Sequence, residues 1–260
     1  MRNDKTLTEP EPGLEFRAPR CALRVSGLSH TYPDGRVALS GVGLDVRPGE
    51  RVGLVGPNGA GKTTLFLRLC GVLPGRPGEA CVAGLDPADP DHRRKLPGVV
   101  GVVFQNPDDQ LFCATVLEDA AFGPLNLGAT AEEARDRAEE ALKRVGLSGC
   151  GERTPHRLSG GEKRRAALAG VLAMRPEVLL LDEPSMFLDP RGRRELIGLL
   201  NGLPGTMVVA THDLDFVHDT CGRVIVLDAG RVVADGPAGE LLADHELMDR
   251  HGLEARPPAP

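Results

Sequence analysis

Two rhythms of apolar residues divide this chain. Runs at residues 51–55, 99–104 and 178–181 are mostly apolar or glycine, and glycine, proline or aspartate lies beside each of them. Such runs predict short strands in a buried sheet. Residues 131–146 follow the other rhythm, with Ala131, Ala134, Ala138, Ala141, Leu142 and Val145 at spacings of three, four and one. That period predicts a helix, which Glu139–Lys143 and Glu140–Arg144 support as i,i+4 pairs.

From the N-terminus onward these elements describe an α/β chain with a β-rich entrance. Short β-like runs at 23–25, 42–46 and 51–55 alternate with the turn signals Pro33-Asp34-Gly35 and Pro48-Gly49. A helix is predicted over 62–72. The strand at 99–104 ends at Gln105, and from about 106 to 170 the pattern becomes mainly helical, an insert in the α/β core. Core strands resume at 178–181, 206–211 and 224–228, followed by a strand at 231–235 and a helix over 237–251. Residues 21–235 are therefore expected to form one domain. Residues 1–20, polar and proline-containing, are expected to be a disordered leader, and 236–260 a C-terminal helix with a proline-rich tail.

Bulk properties narrow the function. At 260 residues the chain can bury one substantial core. Its net charge of −6 offers no general attraction to nucleic acid. Arg164-Arg165 and the arginines of 191–194 are short clusters in predicted helices, where a solvated face is the expected role. No apolar run approaches the roughly 18 residues of a spanning helix, and residues 1–20 lack the apolar segment of a secretion signal. A cytoplasmic protein is expected. The six cysteines include no C-x-x-C pair, which argues against a zinc site or a disulfide framework and predicts reduced, mostly buried thiols.

The strongest chemical signal is Gly56-Pro57-Asn58-Gly59-Ala60-Gly61-Lys62-Thr63, followed by Thr64. Here a strand runs into a glycine-rich loop and then a helix, the context in which backbone N–H groups cradle phosphates. Glycine lets those groups turn inward, and the helix dipole favours the anion. Lys62 is placed to reach the outer phosphates and Thr63 to ligate Mg²⁺. Downstream, the run at 178–181 ends in Asp182-Glu183-Pro184. Because side chains alternate along a strand, the two carboxylates need not share one task. Ser159-Gly160-Gly161-Glu162 fits a capping box.

Together with Leu158-Ser159-Gly160-Gly161-Glu162, Leu181-Asp182-Glu183-Pro184 and Thr211-His212-Asp213, the phosphate loop makes the chain resemble the ATP-binding-cassette family, from about Cys21 to Leu253. The resemblance implies a P-loop NTPase core of RecA-like type with a β-rich N-terminal subdomain and a helical insert. It implies ATP and Mg²⁺ as ligands. Glu183 would polarise the attacking water, His212 would contact the γ-phosphate, and Asp182 would support the magnesium bound by Thr63. Gln105 would touch magnesium and water, and report nucleotide state to the insert. Ser159, Gly160 and Gly161 would grip ATP held by a second cassette, so hydrolysis would need a dimer. Tyr32 is either the aromatic that stacks on adenine or an ordinary strand-edge ring.

Within the family, Phe104-Gln105-Asn106-Pro107-Asp108-Asp109-Gln110-Leu111-Phe112 is similar to the ATPases of energy-coupling-factor importers for vitamins or transition metals. The segments around His156 and His251 are closest to the cobalt and nickel branch. This implies an integral-membrane subunit and a substrate-capture subunit as partners, at the cytoplasmic face of the membrane, and no nucleic acid. Asp108, Asp109, Gln110, Leu111 and Phe112 could bury a membrane subunit's helix, the acids meeting its arginines, or form a turn with solvent-facing acids. Nucleic-acid cassettes of the repair type carry long insertions between phosphate loop and signature, whereas 96 residues separate Lys62 from Ser159 here. A cassette without turnover is opposed by Lys62, Asp182, Glu183 and His212 occurring together. Ser185-Met186-Phe187-Leu188 departs from the family, which has a small residue and a glycine or asparagine in this loop, and Glu162 replaces the commoner glutamine.

Overall fold

The computed structural model describes residues 22–253. The expected leader, Cys21 and the proline-rich tail lie outside them. Three short-range strands build the β-rich entrance: β1 (Leu23–Thr31), β2 (Val37–Val46) and, after β3 (Arg51–Val55) and helix α1 (Lys62–Leu69), β4 (Ala80–Val82). They form an antiparallel sheet in the order β2-β1-β4. The strands β1 and β2 extend well beyond the short runs expected from apolar residues alone, and their pairing carries register shifts between Val25 and Thr31.

Helix α2 (Pro90–Arg93) leads to β5 (Val100–Val103), and the helical insert follows as α3 (Val116–Asn126), α4 (Ala131–Arg144) and α5 (Gly160–Ala173). The core then continues through β6 (Val178–Asp182), α6 (Pro190–Asn201), β7 (Thr206–Thr211), α7 (Leu214–Thr220), β8 (Arg223–Asp228) and β9 (Arg231–Pro237). The main sheet runs β5-β6-β7-β3-β8-β9, parallel except for β9. Its parallel strands are largely buried on both faces, while the edge strand β9 is exposed on one of them. Leu179, Leu181, Met207, Val209, Val224 and Val226 face the core built with α3 to α7. Their alternates Val178, Leu180, Val208, Ala210, Ile225 and Leu227 face α1 and the antiparallel sheet. This two-sided burial explains the near-continuous apolar runs.

Several boundaries differ from expectation. The helix after the phosphate loop stops at Leu69, because Gly71 turns left-handed at φ +70°. The C-terminal helix is two short ones, α8 (Ala238–Leu241) and α9 (His245–Arg250), with Asp244 capping the second through a bond from the Leu247 N–H at 2.9 Å. Of the described cysteines only Cys221 is buried, and the other four are partly exposed. Burial pushes the Cys221 thiol up to about 11 and Cys70 to about 12. In α4, Glu140 pairs with Arg144 as expected, while Glu139 takes Arg135 at 2.9 Å.

Candidate active site

Parallel strands β6, β7 and β3 end side by side, and this shared edge assembles the site. The phosphate loop leaves β3 and enters α1. Gly56 permits its approach to the core, since a Cβ there would stand 2.1 Å from the Leu227 carbonyl oxygen. Gly61 adopts φ +108°, open only to glycine, and so aims the first turn of α1. The loop bounds a cavity of about 470 Å³ lined also by Tyr32, Arg36, Gln105, Asp182, Glu183, Met186 and His212.

Lys62 is buried, and its Nζ donates to the carbonyls of Gly56 at 2.6 Å and Pro57 at 3.2 Å. It also lies 3.6 Å from Glu183. Burial lowers the Lys62 pKa, with Glu183 and Asp182 opposing the shift. The Thr63 hydroxyl donates to Asp182 Oδ2 at 2.7 Å, and burial raises the Asp182 carboxyl above its ordinary range. This pair joins the end of β6 to the first turn of α1.

Glu183 turns the other way. Its carboxylate accepts the Thr211 hydroxyl at 2.7 Å and stands 3.1 Å from His212 Nδ1. Its backbone sits at φ +46°, a strained value for a non-glycine residue, and is pinned by a bond from its N–H to the Ala210 carbonyl at 2.8 Å. His212 itself is half-exposed. Gln105 projects into the cavity beside the Met186 sulfur. The Tyr32 hydroxyl shares a hydrogen bond with Thr64 at 3.1 Å, and the Arg36 guanidinium lies 4.7 Å from the centre of its ring. That ring is therefore part of the cavity wall.

Ser159, Gly160 and Gly161 do not line this cavity. They border a separate one of about 520 Å³ with Phe187, Leu188 and Asp189. The expected capping box is present, with Glu162 accepting the Ser159 backbone N–H and hydroxyl, both at 2.8 Å. The departing loop keeps a defined conformation. Ser185 donates to Asp213 at 3.0 Å, Met186 faces the phosphate-loop cavity, and Phe187 is 84% exposed at φ +63°. Glycine or asparagine suits that backbone value, so phenylalanine is carried there at a local cost.

The five residues from Asp108 to Phe112 divide. Asp108 accepts Lys163 at 2.7 Å, and Asp109 accepts the Asn106 side chain at 3.1 Å. Gln110 bridges the Phe104 N–H and the Val102 carbonyl, both at 2.9 Å, which is a structural tie. Leu111 and Phe112 border a groove of about 540 Å³ with Phe122, Leu127 and Met174. Asp119 also lines it, a residue the motifs did not single out. One oxygen of its buried carboxylate accepts the Phe112 and Cys113 N–H groups, and Oδ2 has no hydrogen-bond partner. Arg164 corrects another expectation. It is 3% exposed and faces the core, where a solvated helix face was expected.

A phosphate loop at the end of a central parallel strand, with two carboxylates delivered by the end of β6 one strand further across the sheet, defines a P-loop nucleoside triphosphatase. The chain belongs to the ABC transporter family, whose model matches residues 39–186. It is an ATP-binding, ATP-hydrolysing cassette of that family. A putative ABC transporter ATP-binding protein of Gloeobacter violaceus is 55% identical, covering 89% of this chain and 96% of its own length. The energy-coupling factor transporter ATP-binding protein EcfA of Methanothermobacter thermautotrophicus is 46% identical, covering 89% and 76% respectively. Among solved structures, cbiO1 of Clostridium perfringens, described as part of the ABC transporter complex cbiONQ, superposes with a TM-score of 0.77 at 39% identity, covering 89% of this chain and 94% of that one.

Proposed function

We propose that this chain is the ATP-hydrolysing subunit of an energy-coupling-factor importer, carrying a transition-metal ion, cobalt or nickel, at the cytoplasmic face of a membrane. The observation that carries the assignment is the groove beside Gln105. Phe112 is exposed and meets Phe122 edge to face at 4.9 Å between ring centres. An apolar groove with exposed aromatic rings suits the apolar face of an amphipathic helix, and exposed Asp109 on its wall suits a basic residue beside that face. The likeness to cbiO1 of a transporter complex and to an energy-coupling factor ATPase supports the transporter assignment, while cobalt or nickel follows the resemblance of the segments around His156 and His251, with a vitamin importer as the second reading. No helix among the described residues is long and apolar enough to cross a membrane, so transport on this reading requires an integral-membrane partner, with a further subunit to capture substrate.

Two cassettes would face each other. The separation of Ser159-Gly160-Gly161 from the chain's own phosphate cavity supports this, since those donors can serve a γ-phosphate only when another chain presents it. The residues fit Mg²⁺, because the Thr63 hydroxyl and the Asp182 carboxylate are hard oxygen donors already 2.7 Å apart. When bound, the ion supplies positive charge against the outer phosphates. Lys62 would exchange its carbonyl partners for the β- and γ-phosphates, and the peptide N–H groups of residues 58–63 would hold the chain of phosphates. Gln105 and Glu183 would orient the attacking water, Glu183 drawing its proton, while His212 donates to the γ-phosphate. Tyr32 would present its ring to adenine.

Purification of the tagged chain from its native membranes in mild detergent, followed by mass spectrometry, tests the assignment. Wild type is expected to bring down a multi-span membrane subunit with a small capture protein whose bound metal or vitamin identifies the cargo. Phe112→Asp is expected to lose both while keeping ATP binding. Recovery of soluble nucleic-acid factors alone would contradict the importer assignment.

A further inference from the structure

Arg164 lies in the second turn of α5, the helix that begins with Gly160-Gly161, and its side chain is turned into the protein. Its Nη1 donates to the Phe104 carbonyl and its Nη2 to the Met186 carbonyl, each at 3.2 Å. Phe104 immediately precedes Gln105, and Met186 lies in the loop that follows Glu183. One guanidinium thus joins three segments that meet nowhere else in the sequence: the helix of the Ser159 motif, the strand end that carries Gln105, and the loop beyond the water-orienting carboxylate.

Both acceptors are neutral carbonyls, so the charge is compensated at longer range. Burial draws the Arg164 guanidinium below its ordinary range, while Asp182 and Glu183 act against that shift. A buried charge is expensive, and an apolar side chain of similar length would fill the same space at less cost. What the guanidinium adds is a planar fork that fixes two backbone segments at once. Lys62 and Arg164 together face Asp182 and Glu183, so phosphate arriving at Lys62 alters the charge balance around the fork.

We propose that Arg164 is a positioning residue that locks α5 to Gln105 and to the loop after Glu183, so that nucleotide at a chain's own phosphate loop sets how its Ser159-Gly160-Gly161 meets the second cassette. This rests on the face-to-face arrangement proposed above. Own-site binding and cross-chain engagement then become separable: losing the fork leaves the phosphate loop intact but lets α5 settle at the wrong angle. A lysine at this position keeps the charge yet satisfies one carbonyl at a time.

The test compares Glu183→Gln with Glu183→Gln/Arg164→Met and Glu183→Gln/Arg164→Lys, using sedimentation with MgATP and titration with a fluorescent ATP analogue. Glu183→Gln is expected to dimerise with ATP. Adding Arg164→Met is expected to leave analogue affinity within about twofold and weaken dimerisation by about tenfold or more, with Arg164→Lys in between. In the chain with Glu183 intact, Arg164→Met is expected to lower kcat by a similar factor at nearly constant KM. Unchanged dimerisation, or a parallel loss of analogue affinity, KM and thermal stability, overturns the proposal. Failure of Glu183→Gln alone to dimerise overturns the face-to-face arrangement, and the coupling with it.

Discussion

Glu183 shows how a single position can be built for chemistry at the expense of backbone comfort. Left-handed backbone costs an ordinary residue about 1–2 kcal/mol, yet Glu183 holds φ +46° with three hydrogen-bond partners, the Ala210 carbonyl, the Thr211 hydroxyl and His212, and with Lys62 as an ion-pair partner. The turn throws its carboxylate away from Asp182, which stays with Thr63. Glutamine keeps the shape and can still accept from Thr211, but it is a poor proton acceptor. Glu183→Gln is therefore expected to bind ATP normally and to turn over about 10²–10⁴-fold more slowly in a phosphate-release assay. Near-normal turnover would remove Glu183 from the role of water-orienting base. Residue types and order made Lys62, Thr63, Asp182, Glu183 and His212 legible as candidates, because each sits in a short motif at the end of a strand or the start of the helix after the phosphate loop. Arg164 was not legible. Its neighbours Lys163 and Arg165 are polar, and whether one arginine of such a run turns inward depends on what the helix packs against.

At the scale of elements, short-range signals carried far. Three helices of the insert begin with the same reciprocal cap: Thr115 with Glu118, Thr130 with Glu133, and Ser159 with Glu162. All three follow the T/S-x-x-E spacing, so all were open to sequence reading. Strand β4 was harder to see, being three residues in a stretch rich in glycine and proline. The two-part C-terminal helix turns on one aspartate, Asp244, acting as a cap within an otherwise helical composition. Glu162 has a consequence that glutamine would not. The Ser159 backbone N–H and hydroxyl hold its carboxyl below the ordinary 4.5, with burial opposing and Arg153 and Arg165 assisting. In the unfolded chain it titrates near the ordinary value, so it contributes stability above that pH. The contribution is lost as pH falls through the lower folded value. Thermal melts across this acid window are expected to fall more steeply for wild type than for Glu162→Gln. Parallel slopes would show that the charged cap adds nothing to α5.

At the scale of the molecule, one sheet whose parallel strands are buried on both faces brings three strand ends to the phosphate loop, while the insert carries a second set of donors to a different surface. The α/β core, the β-rich entrance and the insert all follow from periodicity and turn chemistry. The division into two half-sites does not, because no pattern within one chain reveals which surfaces meet in a pair. The groove is similar: Phe112 was visible in the sequence, whereas Asp119 and Phe122 join it only through the packing of α3. Our central claim is that each chain's Ser159 motif completes the other chain's phosphate site. It is tested most directly by mixing two defective chains, Lys62→Ala with an intact signature and Ser159→Phe with an intact phosphate loop, and measuring phosphate release. Each alone is expected to be nearly inactive, and mixing is expected to restore activity through the mixed pair's one complete site. No recovery at any ratio, with Ser159→Phe still binding ATP, would contradict the claim.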